Sequence, residues 1–313
     1  MSSVRAIATS PVAGTINNDN ALGENSSLLL AVDGSDVGTA AIKVAADLAA
    51  TTGCGIEVLN VERLQTLPPV PPSPGIATDL LDWTVPTHRR RLQLRGQVDK
   101  AAGRRTDWPI AVERGIPAQI IAEEAKRRGS SLIALGLLPH NVFDRLMNRS
   151  TALAVVRQAT VPVLAVTPGL SRAPRRIVVA IDFSRASLRA ARVALGLLPD
   201  GGTLLLTHVT PDFRRASETT EGWEIVYSQG IAAAMTRLQE ELKAPPEVRI
   251  EPVFIGGPVV DALVAFSSAA KADLIAVGTH RHTFVDRLIV GSVTEALIRN
   301  ARHSLLISPP SNR

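Results

Sequence analysis

The chain of 313 residues carries one pattern twice, and this internal repeat limits its fold more than any other feature. Residues 27–35 (SLLLAVDGS) and 176–184 (RIVVAIDFS) are both short aliphatic runs that end in Asp-x-Ser. Leu132–Gly136 (LIALG) likewise recurs as Leu274–Gly278 (LIAVG). The offset between matching positions changes once, within the middle of the repeat. The sequence therefore predicts two copies of one folding unit that differ in the length of one loop.

Each copy alternates aliphatic runs with helical stripes, which is typical of an α/β fold. Aromatic residues make up only 3% of the chain, so we expect an aliphatic core, as in parallel sheets that are buried on both faces. Ser35 is predicted to cap the first helix. Short strand–helix–strand connections favour a parallel sheet of five strands in each copy, with helices on both faces. The predicted strands end at or near Asp33, Val61, Glu113, Gly136 and Val166 in the first copy, and Asp182, Val209, Phe254, Gly278 and Ser308 in the second.

The repeat and the positions of Pro and Gly divide the chain into four parts. Residues 1–26 are predicted to be a flexible N-terminal tail, 27–168 the first domain, 169–175 a linker and 176–310 the second domain. The tail lacks the apolar stretch of a signal peptide, and the aliphatic runs are too short to span a bilayer. Together with the single cysteine, Cys54, these features favour a cytoplasmic protein with no membrane partner.

Basic residues are clustered locally, although the net charge is only +5. One cluster covers residues 88–91 with Arg95, and another is Arg104 with Arg105. Such clusters fit a nucleic-acid surface or the solvated face of a helix. No recognition motif or interleaved aromatic surface accompanies them, so we favour the solvated face and do not expect nucleic acid as a partner.

The residues that follow the fourth strand and precede the last helix of the second copy could form a ligand site. Ligands of parallel sheets bind beyond the carboxyl ends of the strands. Gly278 there would let backbone approach a ligand closely. Gly291 and Ser292 open a helix, whose free N–H groups and dipole favour an anion. On these residues alone, a strand-exit glycine and an ordinary helix start with nothing bound remain the alternative.

Motifs of known enzymes are missing from the sequence. His280 and His282 invite a metal site, but no Cys or carboxylate cluster joins them in sequence, so no metal site is predicted. Neither a Gly-x-Ser-x-Gly elbow nor a Walker loop with its lysine is present. We therefore assign no catalytic residue, and slow hydrolysis of a bound nucleotide stays open.

Both copies resemble the universal stress protein family, whose pattern is an aliphatic strand ending in Asp, followed later by Gly-x2-Gly-x9-Gly-Ser/Thr. The resemblance implies tandem Rossmann-like units of the adenine nucleotide alpha hydrolase-like class. It also implies that the last strands pair, so that one chain forms an intramolecular pseudo-dimer; the further association of two such chains into a homodimer stays open. In the second copy the resemblance implies nucleotide-binding roles for Asp182, Val209, Gly278, Arg281, Gly291, Ser292 and Val293.

The two copies depart from the family pattern to different degrees. Arg281 replaces the second glycine in the second copy. The first copy supplies Asp33, Gly136 and Ser150, with weaker support, because Pro139 and Arg149 replace two of the glycines. A side chain at the helix start is expected to obstruct a triphosphate. We therefore expect a degenerate first site and a more intact second site.

The resemblance implies a stress-response protein that binds ATP or another adenine nucleotide, with Mg²⁺ only alongside the nucleotide. Binding in the second domain would then regulate contacts with a protein partner that the sequence does not identify. The alternative is an interaction or structural module of the same fold that binds no nucleotide.

Overall fold

The computed structural model describes residues 22–63, 84–138, 148–210, 221–279, 291–300 and 302–309. The elements of the first half are β1 (Ser27–Ala31), α1 (Asp36–Thr52), β2 (Gly55–Arg63), α2 (Thr84–Ala102), β3 (Ile110–Gly115), α3 (Pro117–Arg127), β4 (Leu132–Gly136), α4 (Asn148–Gln158) and β5 (Val163–Val166). Those of the second half are β6 (Arg176–Ala180), α5 (Arg185–Leu195), β7 (Thr203–Thr210), α6 (Glu221–Leu242), β8 (Arg249–Gly256), α7 (Val259–Ala269), β9 (Leu274–Gly278), α8 (Ser292–Asn300) and β10 (Ser304–Ser308).

All ten of these strands form one sheet, in the order β3-β2-β1-β4-β5-β10-β9-β6-β7-β8. Each half has the same internal order, and every pair within a half is parallel. The halves meet where β5 and β10 pair antiparallel, with Leu164 opposite Leu306. The predicted α/β class is therefore confirmed, and the two five-stranded sheets join into one.

The core is aliphatic and lies on both faces of the sheet. In β1, Leu28 and Leu30 pack on one face with helices α1, α2, α5 and α6. Leu29 packs on the opposite face with α3, α4 and α8. Because both faces of the strand are buried, consecutive positions must be apolar, which explains the unbroken aliphatic runs.

The seam between the halves is closed by side chains as well as by the strand pair. The backbone N–H of Thr167 donates to Oγ of Ser304 at 3.1 Å, and both residues are buried. An ion pair between Arg157 of α4 and Glu295 of α8 crosses the same seam at 3.3 Å. The two halves therefore share one packed interface.

Parts of the predicted tail and linker are packed against the domains. Leu22 is buried in the core, and the N–H of Ser26 closes a turn on the carbonyl of Gly23. The first packed unit thus begins before residue 27, where the sequence analysis had placed its start. Between β5 and β6, Leu170 and Ala173 are buried, and the N–H of Ala173 donates to the Asp47 carboxylate at 2.7 Å.

One arginine of the basic clusters has a structural role. Arg95 donates hydrogen bonds to the carbonyl oxygens of Thr106 at 3.0 Å and Trp108 at 2.7 Å, and so fixes the loop before β3.

Across the described ranges, no helix is long and apolar enough to cross a membrane.

Candidate functional site

The aspartate after the first strand of each half forms the same turn. Oδ1 of Asp182 accepts a hydrogen bond from the N–H of Ser184 at 3.0 Å, and Oδ1 of Asp33 accepts one from Ser35 at 2.9 Å. These turns hold both carboxylates at the carboxyl end of the sheet, directly before a helix. The serines behave differently. Ser184 Oγ caps α5 by accepting from the N–H of Ser187 at 3.1 Å.

Ser35 is the N-cap residue of α1, as predicted, but its side chain makes no capping bond. Its hydroxyl donates to Oδ1 of Asp33 at 2.5 Å. A bond to a charged oxygen is about twice as strong as one between neutral groups, and this bond orients the Ser35 hydroxyl toward the carboxylate.

The glycine that ends the fourth strand of each half is required by packing. A Cβ on Gly278 would lie 2.5 Å from the carbonyl oxygen of Ala186 and 2.6 Å from the nitrogen of Ser187, in the first turn of α5. A Cβ on Gly136 would lie 2.9 Å from the carbonyl oxygen of Val37, in the first turn of α1. From the sequence, Gly278 is expected to let a ligand approach closely. What the structure shows is the close approach of the first turn of α5.

Gly291 differs from these two glycines. No described atom lies within 4 Å of the position that its Cβ would occupy. Packing of the described residues therefore does not require a glycine at the start of α8, whereas it does at the end of β9. Ser292 follows as an exposed first residue of α8.

A cavity of about 290 Å³ brings most of the predicted residues of the second half together. Asp182 lies at the end of β6, Val209 near the end of β7 and Gly278 at the end of β9. The start of α8 closes the opposite side with Gly291, Ser292 and Val293. Arg281 lies outside the described residues. Apolar side chains form much of the wall, namely Ile181, Val209, Val259, Val277 and Val293.

A histidine that the sequence analysis did not single out also lines this cavity. His208 of β7 is buried, and its Nδ1–H donates to the carbonyl oxygen of Ile181 at 2.7 Å. The ring lies beside Phe183, with 5.1 Å between the ring centroids. The bond fixes the backbone directly before Asp182.

The repeat contains the signal that would have identified His208. Asn60 occupies the matching position of β2, and its Nδ2 donates to the carbonyl oxygen of Val32 at 2.6 Å. Two different residue types thus make the same bond from the second strand to the end of the first. Aligning the second strands residue by residue would have indicated this shared role.

The matching cavity of the first half is smaller, at about 120 Å³. Asp33 and Gly136 line it, as predicted from the repeat. Arg63, the last residue of β2, also lines it and donates from Nη2 to Oγ1 of Thr151 at 3.1 Å. Ser150 belongs to α4, but its side chain and that of Arg149 lie outside the description, as does Pro139.

A second arginine covers the turn of the first half. Arg90 of α2 donates from Nη2 to the carbonyl oxygen of Asp33 at 2.5 Å, and from Nε to Oδ1 of Asn60 at 3.2 Å. Its guanidinium lies where a side chain on Gly34 would point, 2.6 Å from the position of a Cβ. In the second half Phe183 stands at the place of Gly34, also in the left-handed region, with φ +62° against +82°.

The second cavity combines groups suited to a ligand with a flat apolar part and an anionic part. Its apolar wall can bury a ring system, the Asp182 carboxylate can accept hydrogen bonds, and the N-terminal turn of α8 favours negative charge. Within the described ranges, no group of three or more His, Cys, Asp or Glu side chains could hold a metal ion. His280 and His282 lie outside those ranges.

Comparisons with known proteins agree with the repeat. The model of the universal stress protein family matches residues 24–167 and again residues 174–309. A universal stress protein from Methanocaldococcus jannaschii is 28% identical over 139 residues, which cover 42% of this chain and 81% of that protein.

Two solved structures share the fold over nearly the whole chain. A universal stress protein from Archaeoglobus fulgidus has a TM-score of 0.65 at 20% identity, covering 91% of this chain and 98% of its own. A functionally unknown protein from Pseudomonas aeruginosa has a TM-score of 0.55 at 18% identity, covering 92% of this chain and 94% of its own. At these identities the likeness concerns the fold.

Proposed function

The chain belongs to the universal stress protein family, and we propose that it is a stress-response protein whose second half binds an adenine nucleotide, ATP above all. The observation that carries this proposal is the cavity that joins Asp182, Val209 and the Gly291–Ser292 helix start. In the proposed mode, the base and ribose lie against Val209 and Asp182, and the phosphates lie at the start of α8. Mg²⁺ enters only with the nucleotide.

The roles of the individual residues follow from their positions. The first turn of α8 has backbone N–H groups with no partner inside the helix, and these groups suit phosphate oxygens. Gly291 leaves the approach to this turn open, since no described atom lies near its missing Cβ. The hydroxyl of the exposed Ser292 can add a hydrogen bond to a phosphate. Asp182 is held by its turn, so its carboxylate is already oriented when the ligand arrives.

Nucleotide binding is proposed to regulate rather than to catalyse. The start of α8 and the turn after β6 belong to different elements, and a ligand that contacts both stabilises their relative position. A surface formed by these elements could then bind a cytoplasmic protein partner differently with and without nucleotide.

The alternative function, an interaction or structural module that binds no nucleotide, is compatible with the same strand-end glycines. Gly278 and Gly136, which match the family pattern, are both explained by helix packing. A module of this fold that binds no nucleotide would need them equally. The glycines at the strand ends therefore do not distinguish between the two functions. The test must be made at the helix start, residues 291–292.

Thermal unfolding with ATP, ADP and AMP tests the proposal. A ligand at 100 times its dissociation constant stabilises the folded state by about 2.7 kcal/mol. Ser292→Arg is expected to abolish this stabilisation, because a long cationic side chain would lie where the phosphates bind. Ser150→Arg, the matched change in the first half, is expected to leave it nearly intact. Equal loss from both changes, or no stabilisation of the wild type by any of the three nucleotides, would contradict the proposal.

A further inference from the structure

We infer that Arg63 occupies the first cavity in place of a ligand and thereby limits the chain to one nucleotide. This inference rests on the proposed function of the second half. It adds a described side chain at the end of β2 to the obstruction that the sequence predicts from Arg149 and Pro139.

The position of Arg63 follows from the strand order. Its side chain starts at the carboxyl end of β2 and reaches Thr151 in the first turn of α4, with 3.1 Å between Nη2 and Oγ1. In the sheet, β1 lies between β2 and β4, and α4 follows β4. A side chain that joins β2 to α4 therefore passes over the carboxyl end of β1, where Asp33 lies. All three residues line the same cavity.

This path is the one that a nucleotide would follow in the second half. Val61 and Val209 hold matching positions near the ends of β2 and β7, and Thr151 matches Val293 in the first turn of the last helix. The proposed ligand extends from Val209 to the start of α8. Arg63 makes the same connection in the first half with a guanidinium.

In the second half, Pro211 holds the position that matches Arg63, since Val209 matches Val61. A proline side chain has no group that could make this bond, and position 211 lies outside the described residues. Val293 stands where Thr151 stands in the first half and offers no acceptor. The cavity volumes agree with this difference, at about 290 Å³ in the second half and about 120 Å³ in the first.

Displacing the arginine is unfavourable for a ligand that follows this path. The ligand would have to break the Thr151 bond and move the guanidinium away from the wall that also holds the Asp33 carboxylate. Removing the side chain is expected to open the cavity without disturbing the fold, because Arg63 is an exposed residue.

Counting bound nucleotides tests the inference. Native mass spectrometry and calorimetry with Mg²⁺ and ATP would compare the wild type with Arg63→Ala and Arg63→Met, both made in a protein that also carries Arg149→Gly, because an arginine at the helix start would itself obstruct the phosphates. Arg63→Met keeps much of the stem but loses the guanidinium. We expect one nucleotide per chain for the wild type and for Arg149→Gly alone, and two for Arg63→Ala, with Arg63→Met intermediate in affinity for the second. Arg114→Ala is the matched control, since Arg114 pairs with Glu62 at 3.2 Å and does not line the cavity. It is expected to bind one nucleotide.

The deciding quantity is the difference between Arg63→Ala and Arg149→Gly alone. One additional nucleotide supports the inference, and an equal or lower number overturns it. Combining Arg63→Ala with Ser292→Arg locates the additional nucleotide, because the combined variant should keep one nucleotide in the first cavity. Failure of the wild type to bind would contradict the proposed function alone, since the difference between Arg63→Ala and Arg149→Gly alone still decides this inference.

Discussion

The two halves of the sheet share their strand order but differ at the residues that line the ligand cavities. Asp33 and Asp182 form the same turn, and Gly136 and Gly278 admit the same helix turn. In contrast, Arg63 lines the first cavity, whereas Pro211, which has no donor group, stands at the matching position of the second half. The strand-end glycines that the halves have in common are required by packing. A shared residue in such a repeat is therefore weaker evidence for a ligand than a residue that packing does not explain.

In the comparison of the two halves, Gly291 gives more information about a ligand than the strand-end glycines do. Packing explains Gly278, but no described atom restricts a side chain at position 291. The first half carries Arg149 at the matching position. The nucleotide proposal thus depends on the helix start of the second half more than on the strand-end glycine.

Alanine at the strand-end glycines is expected to give the largest effect. Gly278→Ala should lower the free energy of unfolding by about 3 kcal/mol, because the new Cβ would overlap backbone of α5. Gly136→Ala should cost only about 1 kcal/mol, because its contacts with Val37 are less close. Urea unfolding would measure both. Gly291→Ala is the control, with a change within about 0.5 kcal/mol. Similar losses at all three positions would break the distinction between packing glycines and the helix-start glycine.

The seam bond is expected to have the next largest effect. Ser304→Ala removes the acceptor of the buried Thr167 N–H and should lower the free energy of unfolding by about 1–2 kcal/mol. In the repeat, Pro162 matches Ser304 and Pro309 matches Thr167. A proline has no N–H to donate, so Pro309 cannot make the bond that Thr167 makes. Ser304→Thr, which keeps a hydroxyl acceptor, should retain most of the stability that Ser304→Ala loses. No loss with Ala would show that this bond does not hold the halves together.

The left-handed residue after β6 provides a third test. Phe183→Ala should lose the contact with His208 and keep the strain of φ +62°, whereas Phe183→Gly should lose the contact but relieve the strain. We expect the Gly variant to be more stable than the Ala variant by about 1 kcal/mol in thermal unfolding. Where φ is negative, the Ala variant is instead expected to be more stable than the Gly variant. If the Ala and Gly variants are equally stable, the turn changes its conformation when the ring is removed, and the strain at position 183 does not persist.

The two ion pairs of Glu295, with Arg157 across the seam and with Arg299 in α8, are expected to give the smallest effect. Hydrogen bonding from Arg299, together with the nearby Arg157, holds the pKa of Glu295 below its ordinary value of 4.5. The charged form therefore stabilises the fold at neutral pH, and this stabilisation is lost as the pH falls through the folded-state pKa. Glu295→Gln should be less stable by about 0.5 kcal/mol near pH 7, because partly exposed pairs contribute little. The difference should shrink as the pH falls below the ordinary range of a carboxyl group, and thermal unfolding would measure it. A difference that grows in acid would contradict the sign of the pKa change.

Much of the fold could be predicted from the sequence, because the repeat and the aliphatic runs are local signals. The runs that end in Gly136 and Gly278 coincide with β4 and β9, and the Asp residues follow β1 and β6 closely. The cavity residues of the second half were also predicted through the family resemblance, and the structure brings Asp182, Val209, Gly278, Gly291, Ser292 and Val293 together. Their roles toward a nucleotide stay a prediction, and Arg281 lies outside the described residues.

Other parts could not be predicted because they depend on contacts between distant residues. The reach of Arg63 to Thr151 joins positions that are far apart in the sequence, and nothing local at Arg63 indicates that contact. The same holds for Arg90, which stands over Gly34. The buried Leu22 was assigned to the tail because one apolar residue among polar ones has no periodicity to reveal its partner.

The sequence by itself determined that this chain would fold as two copies of one α/β unit, because hydrophobic periodicity and strand-end residues act over a few neighbouring positions. Only the tertiary structure decided what each matching residue does. A side chain's role depends on which atoms the fold brings within a few ångströms of it, and those atoms come from distant parts of the chain. For this reason Gly278 proved to be a packing residue, and Arg63 was found to line the first cavity.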